Sequence, residues 1–196
     1  MTRFTLTHVI ACDEATFWRL YLDSAVTRAL IVEGLGFESC EIPLLRDEPT
    51  KLVRVTVARP RLELPDAVAK LLGPRLSYRE EGTFDKERRV WEWTTELAVL
   101  SDKIQLGGSM RTEPAGPDRC RRIADLWVRA KIFALGGIVE KAAERNLRKG
   151  WQQSADWLND ALARGTLPRP ADPPAPTPTA PASESSGSDT PPSYFA

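Results

Sequence analysis

The sequence predicts an α+β domain in which a curved antiparallel sheet wraps around one long carboxy-terminal helix, with two short helices after the first strand. Three observations carry this. An amphipathic pattern runs unbroken from Gly136-Gly137 to about Ala163, period-two alternation recurs in the segments before it, and two short helical patterns follow the first of those segments. A sheet with one apolar face and a helix with one apolar stripe bury those surfaces against each other.

Residues 4–10 read as a strand, with Phe4, Leu6, His8 and Ile10 sharing one parity that points inward. Asp13 is placed to cap a helix carrying Phe17, Leu20 and Tyr21, and Ser24 to cap a second carrying Val26, Ala29 and Leu30. Gly34 and Gly36 end the pair. Residues 37–45 and 52–59 read as a hairpin turning at Asp47-Glu48-Pro49, with Val53, Val55 and Val57 marking one face of its second strand. Within 61–73 the pattern is mixed. There Pro65 starts a short helix carrying Val68, Leu71 and Leu72, which Gly73-Pro74 breaks. Strands follow at 77–84, 89–100, 104–112 and 119–130, separated by Asp85-Lys86-Glu87 and by the turn-rich 113–118. Such short turns predict an antiparallel meander. In the final helix Val139, Ala143, Leu147, Gly150, Ser154 and Leu158 fall on the side facing the sheet, with Trp151 at its edge.

A chain of 196 residues allows one core plus an appendage. Residues 1–164 are read as the domain. Residues 165–196 carry Pro168, Pro170, Pro173 and Pro174, then a Ser-rich run, and are read as a disordered tail that acts as a tether or docks on a protein partner. Lys plus Arg and Asp plus Glu both total 27, so no net field points to nucleic acid. No apolar run is long enough for a membrane span, and no signal-peptide core follows Met1-Thr2-Arg3. The chain is therefore expected in the cytoplasm.

His8 is the single histidine, and Cys12, Cys40 and Cys120 stand far apart with no C-x-x-C pair. That inventory assigns no metal site and no cofactor. A nucleophile-histidine triad would have to run through His8 without a G-x-S-x-G motif, so no catalytic residue is assigned and binding is favoured over catalysis.

The stretch Val128-Arg129-Ala130-Lys131-Ile132-Phe133-Ala134-Leu135-Gly136-Gly137-Ile138-Val139-Glu140 resembles the strand-to-helix passage of an uncharacterised bacterial family, domain of unknown function 2505. That family lies in the START-like superfamily of birch-pollen-allergen-like proteins, polyketide cyclases and lipid-transfer domains. Its pattern there is V-x-I-P-L-x-G-G-x-x-E, and Phe133 or Ala134 stands here where proline is usual. Leu106-Gly107-Gly108-Ser109 is similar to the family's glycine-containing penultimate strand, and Tyr78-Arg79-Glu80-Glu81 to its tyrosine-glutamate strand. The resemblance spans roughly residues 2–163 and implies a helix-grip fold with a cavity between sheet and long helix.

A cavity for a hydrophobic small molecule needs apolar walls and a few polar groups. On one parity the middle strands offer Tyr78 and Glu80, then Trp91, Trp93, Thr95 and Leu97, then Leu106 and Met110. The helix adds Glu140, Leu147, Gly150, Trp151 and Ser154, the small Gly150 and Ser154 sitting at the centre of its inner side. These are the expected ligand contacts, although the same aromatics also suit a closed core. Glu140 matches the last glutamate of the family passage, and pairing with Arg129 or Lys131 would give it a structural role. A second function class is a cyclase- or dehydratase-type enzyme moving a proton with Glu80, Glu140 or His8. A third is a protein-interaction module that needs no cavity.

Overall fold

The computed structural model describes residues 1–73 and 76–168. Among them, β1 (Thr2–Ile10), β2 (Ser39–Asp47), β3 (Lys51–Arg59), β4 (Tyr78–Asp85), β5 (Val90–Leu97), β6 (Ile104–Pro114) and β7 (Cys120–Ala130) form one antiparallel sheet in the order β1-β7-β6-β5-β4-β3-β2. The expected meander holds from β2 to β7, and β1 returns to the far edge beside β7. The helices are α1 (Glu14–Leu22), α2 (Ser24–Ala29), α3 (Asp66–Leu72) and α4 (Gly136–Arg164). The Pro- and Ser-rich stretch from 169 onward, expected to be a disordered tail, lies outside the described residues, as does Pro74.

Asp13 caps α1 as its sequence position suggests, accepting from Thr16 N at 2.9 Å and from Thr16 Oγ1 at 2.8 Å. The cap of α2 is Asp23 and not Ser24. Asp23 is still in extended backbone, and its carboxylate accepts from Ala25 N and Val26 N at 2.8 and 2.9 Å. Ser24 is already inside the helix, where a hydroxyl has no free amide to serve. α2 then widens into one π-helical turn, Leu30–Gly34, before Gly36 takes φ +69°. β5 ends at Leu97, shorter than the expected strand, because the chain turns through Leu100 at φ +57°. In the β7–α4 connection Ala134 is left-handed at φ +57° and Phe133 projects into solvent, the turn that replaces the proline-containing one.

The register stacks the concave face in rows. Leu6, Ala124, Met110, Trp91, Phe84 and Leu52 face one another across six strands and are buried. The next row is Phe4, Leu126, Gly108, Trp93, Gly82 and Arg54. Its two glycines make room for indoles. A Cβ on Gly82 would fall inside the Trp91 ring, and one on Gly108 would lie 2.9 Å from the ring of Trp93 and 2.5 Å from Asp125 O. Large rings thus fill the spaces left by absent side chains, which keeps the sheet tightly packed where it curves.

α4 spans 29 residues, roughly 43 Å at 1.5 Å per residue, and lies along β1 and β7. Gly165 closes it in the left-handed conformation, its amide and that of Thr166 reaching Leu162 O and Ala161 O. Two separate apolar clusters hold the helix. Ala155 and Leu158 join Phe17, Trp18, Trp91 and Met110 towards its end, and Val139 joins Val68, Leu72 and Ile104 near its start.

Gly82→Ala should cost about 1–3 kcal/mol of stability, since the added methyl group forces Trp91 out of its rotamer. Urea unfolding measures it. A variant as stable as wild type would show that the ring has room to shift.

Candidate functional site

Between Ala142 and Ser154 no residue of α4 is buried, although the inner side still carries Ala143, Leu147 and Trp151. The helix is buried against the core at both ends and only partly buried over its middle. The space beneath is a cavity of about 350 Å³. Its floor is the concave sheet, and its sides are α1, α2, the π-helical turn and α3. Residues 60–64 form a strap across it. Asn146 of α4 holds this strap by its amide, donating to Glu63 O at 3.0 Å and accepting from Glu63 N at 3.3 Å, and Lys149 pairs with the Glu63 carboxylate.

Of the residues expected to contact a ligand, Tyr78, Glu80, Trp93, Thr95, Leu97 and Leu106 line the cavity from the sheet. Leu147, Gly150, Trp151 and Ser154 line it from α4. A Cβ on Gly150 would meet nothing within 4 Å, so this position opens onto empty space. Trp93 and Trp151 stack across the gap, with ring centroids 5.7 Å apart.

Trp91 and Met110 are corrected. They share the inward parity but belong to the fully buried row below the cavity, Trp91 beneath Tyr21 and over Gly82. Glu140 is corrected too, because its carboxylate points to the β1–β7 edge. It accepts from Thr2 Oγ1 and Ala130 N at 2.9 Å each and pairs with the amino group of Met1 at 3.0 Å, in place of Arg129 or Lys131. Burial works against its charge, but these bonds outweigh it and hold the carboxyl below the usual carboxylate range. Ser154 lines the cavity and is more than a small space-maker. Its hydroxyl donates to Trp151 O at 2.7 Å and accepts from Arg122 Nη1 at 2.9 Å.

Two buried arginines complete the site, and sequence reasoning missed both. Arg122, 2% exposed, donates from Nη2 to Trp151 O at 2.8 Å, lies 4.6 Å over the Trp151 ring and meets His8 Nδ1 at 3.2 Å. Burial lowers its pKa to about 10, still charged at neutral pH. Arg54, 3% exposed, donates from Nη1 to Tyr21 O and Thr27 Oγ1 at 2.7 Å each. Its guanidinium lies over Trp91 at 4.8 Å and Tyr21 at 5.1 Å, in the corner between two perpendicular rings, and these cation–π contacts offset part of the desolvation cost. The available signal was register: Arg54 has the parity of Leu52, and Arg122 that of Ala124 and Leu126.

Burial raises the carboxyl pKa of Glu80 and the charge of Arg54 only partly opposes it. Burial also pushes the Tyr21 phenol up to about 12, and the Tyr78 phenol is raised by burial and by Glu80. Both tyrosines are neutral hydroxyls at physiological pH. Of the three residues considered for proton transfer, Glu80 faces the cavity, Glu140 does not, and His8 sits behind Arg122. Among the described residues no cluster of three or more His, Cys, Asp or Glu could hold a metal ion, and no helix is long and apolar enough to cross a membrane.

His8 supplies a pH test. Burial and then Arg122 depress its pKa from 6.5 to about 4, against a weaker pull from Asp156. Between those values the unfolded chain takes up the proton and the folded one does not, so stability should fall as pH drops from 6.5 towards 4. Thermal melts of wild type and His8→Gln across this window should diverge, the variant losing less on acidification. Parallel curves would refute a neutral, half-buried His8.

The model of a family described as Protein of unknown function (DUF2505) matches residues 5–162. No curated protein matches the chain. Solved structures with a similar fold include a START superfamily protein from Mycobacterium smegmatis, 15% identical, covering 82% of this chain and 98% of that one with a TM-score of 0.54. The Zhui aromatase/cyclase from Streptomyces sp. R1128 is 14% identical, covering 82% and 95% at a TM-score of 0.55. Norcoclaurine synthase from Thalictrum flavum, in complex with dopamine and hydroxybenzaldehyde, is 16% identical, covering 86% and 89% at a TM-score of 0.53. At these identities the likeness is one of fold.

Proposed function

The chain belongs to the family of proteins of unknown function DUF2505, and from that starting point we propose that it binds or transfers a hydrophobic small molecule, a lipid or polyketide-like compound, in the cavity between the sheet and α4. One observation carries this reading. A helix with an apolar inner side is buried at both ends and leaves about 350 Å³ under its middle, a volume within the ordinary range of small-molecule sites. A closed core would have filled that space with Leu or Ile where Gly150 stands. Norcoclaurine synthase, with the same fold, holds dopamine and hydroxybenzaldehyde, which supports a small-molecule reading without fixing the compound.

A cyclase- or dehydratase-type reaction is the second reading, and Glu80 favours it. This carboxyl faces the cavity and resists ionisation through burial. Native mass spectrometry of freshly isolated protein separates the two. Binding alone returns the compound unchanged after incubation, and a reaction returns it with altered mass.

Two substitutions separate the cavity from the fold. Met110→Ala removes a side chain that is 1% exposed, in the larger cluster and outside the cavity lining, and should cost about 2–5 kcal/mol of stability with little effect on ligand affinity. Gly150→Leu fills open space and replaces a mid-helix glycine, so the melting temperature should hold or rise while saturable binding of a naphthalene dye weakens strongly. Full dye binding by Gly150→Leu would displace the site from this cavity. Ser154→Leu is not equivalent, because it removes an acceptor from Arg122 and should destabilise the protein.

A further inference from the structure

The cavity contains a cation with no anion on it. Arg54 is 97% removed from solvent by its 3% exposure, yet it takes part in no salt bridge among the described residues. Its two hydrogen bonds both leave from Nη1 and end on neutral oxygens, and Nε has no partner at all. A buried charge normally recruits an opposite charge or pays heavily for isolation. The rings of Trp91 and Tyr21 lie 4.8 and 5.1 Å from the guanidinium carbon and supply no oxygen acceptor, which leaves Nε wanting one. That residue lines the cavity.

The polar groups around it are arranged in depth. The row next to Arg54 on the concave face is Thr56, Glu80 and Thr95 on adjacent strands, followed by the apolar Leu106 and Val128. One row further out stand Ala58, Tyr78, Leu97 and Ile104, under Val68 and Leu72. The charged end is therefore deep and the outer rows are mostly apolar. Arg122 adds a second positive charge in the cavity wall, and its Nε too is without a partner, but both of its terminal nitrogens are taken, Nη1 by Ser154 Oγ and Nη2 by Trp151 O and His8 Nδ1, whereas Arg54 bonds through Nη1 alone. Glu80 is the single acidic side chain among these inner rows, and burial disfavours its ionised form.

We propose that the ligand is a hydrophobic acid: an apolar body carrying a carboxylate whose oxygens accept from the open donor edge of Arg54, with the body lying along Trp93 and Leu97 towards α3. This rests on the reading of the cavity as a ligand site and names the class of ligand. It also gives Arg54 the ion-pair partner that no described residue provides. An uncharged ester or alcohol of the same body would fill the apolar rows and leave the guanidinium unpaired.

Titration of the full-length protein with 11-(dansylamino)undecanoic acid and with its methyl ester tests this. The acid should bind roughly tenfold to a hundredfold more tightly than the ester, the worth of a charge-assisted hydrogen bond in a dry site. In Arg54→Gln that ratio should collapse to near one while the ester binds as before. Equal binding of acid and ester by wild type would overturn the proposal and leave the cavity reading standing. Saturable binding of neither would overturn both. A preference that survives Arg54→Gln would overturn the assignment to Arg54. Should the variant not fold, the Nε–H resonance of Arg54 in the wild-type protein decides: a shift on adding the acid and none with the ester supports the seat, and no shift with either overturns it.

Discussion

Everything in this molecule depends on how α4 is supported. A helix of 29 residues is fastened to the sheet by one apolar cluster around Leu158 and another around Val139, and between Ala142 and Ser154 it has only partly buried apolar side chains, Leu147 and Trp151, against that core. Had the middle been packed as tightly as the ends, hydrophobic burial would have removed the cavity. The sheet reinforces the arrangement by curving, and Gly82 and Gly108 permit the curve by ceding their space to Trp91 and Trp93. Packing strength is therefore distributed to the two ends of the fold and withheld from its centre.

Polar groups occupy the interior under the same logic. Arg122 gives both terminal nitrogens to acceptors, Trp151 O and Ser154 Oγ on the helix among them, and lies over the Trp151 ring, so it acts as a tie between β7 and α4 with only Nε left over. Arg54 ties β3 to the α1–α2 junction through Tyr21 O and Thr27 Oγ1 but keeps part of its donor capacity unused. Two chemically identical side chains thus have different degrees of freedom. The difference lies in what the neighbouring helix offers: backbone and hydroxyl acceptors on both terminal nitrogens in one case, on one nitrogen in the other.

Much of the fold was legible because its signals are local. Alternation in residues 4–10 and 77–84, the Asp13 cap and the long amphipathic run before Gly165 each rest on spacings of a few residues. The cap of α2 was off by one residue because Asp23 and Ser24 are both good caps and only backbone angles choose between them. The inner arginines were not legible for a different reason. β3 is buried on both faces from Leu52 to Thr56, so Val53 and Val55 looked like its core side while Arg54 and Thr56 took the concave one. Which face of such a strand looks inward is set by pairing with β4, a contact local patterning does not encode. The strap at 60–64 was likewise hidden, since its hold on Asn146 crosses more than eighty positions of chain.

The stacked indoles of Trp93 and Trp151 have an optical consequence. One ring belongs to the sheet and the other to the half-buried middle of α4, and their centroids are 5.7 Å apart at an interplanar angle of 28°. Transition dipoles that close and that skewed couple, splitting the far-ultraviolet dichroism of the indoles into bands of opposite sign. The amplitude depends steeply on separation and twist. Any rise or settling of the helix over the sheet is thereby written into the spectrum of the unlabelled protein, at the wall of the cavity itself.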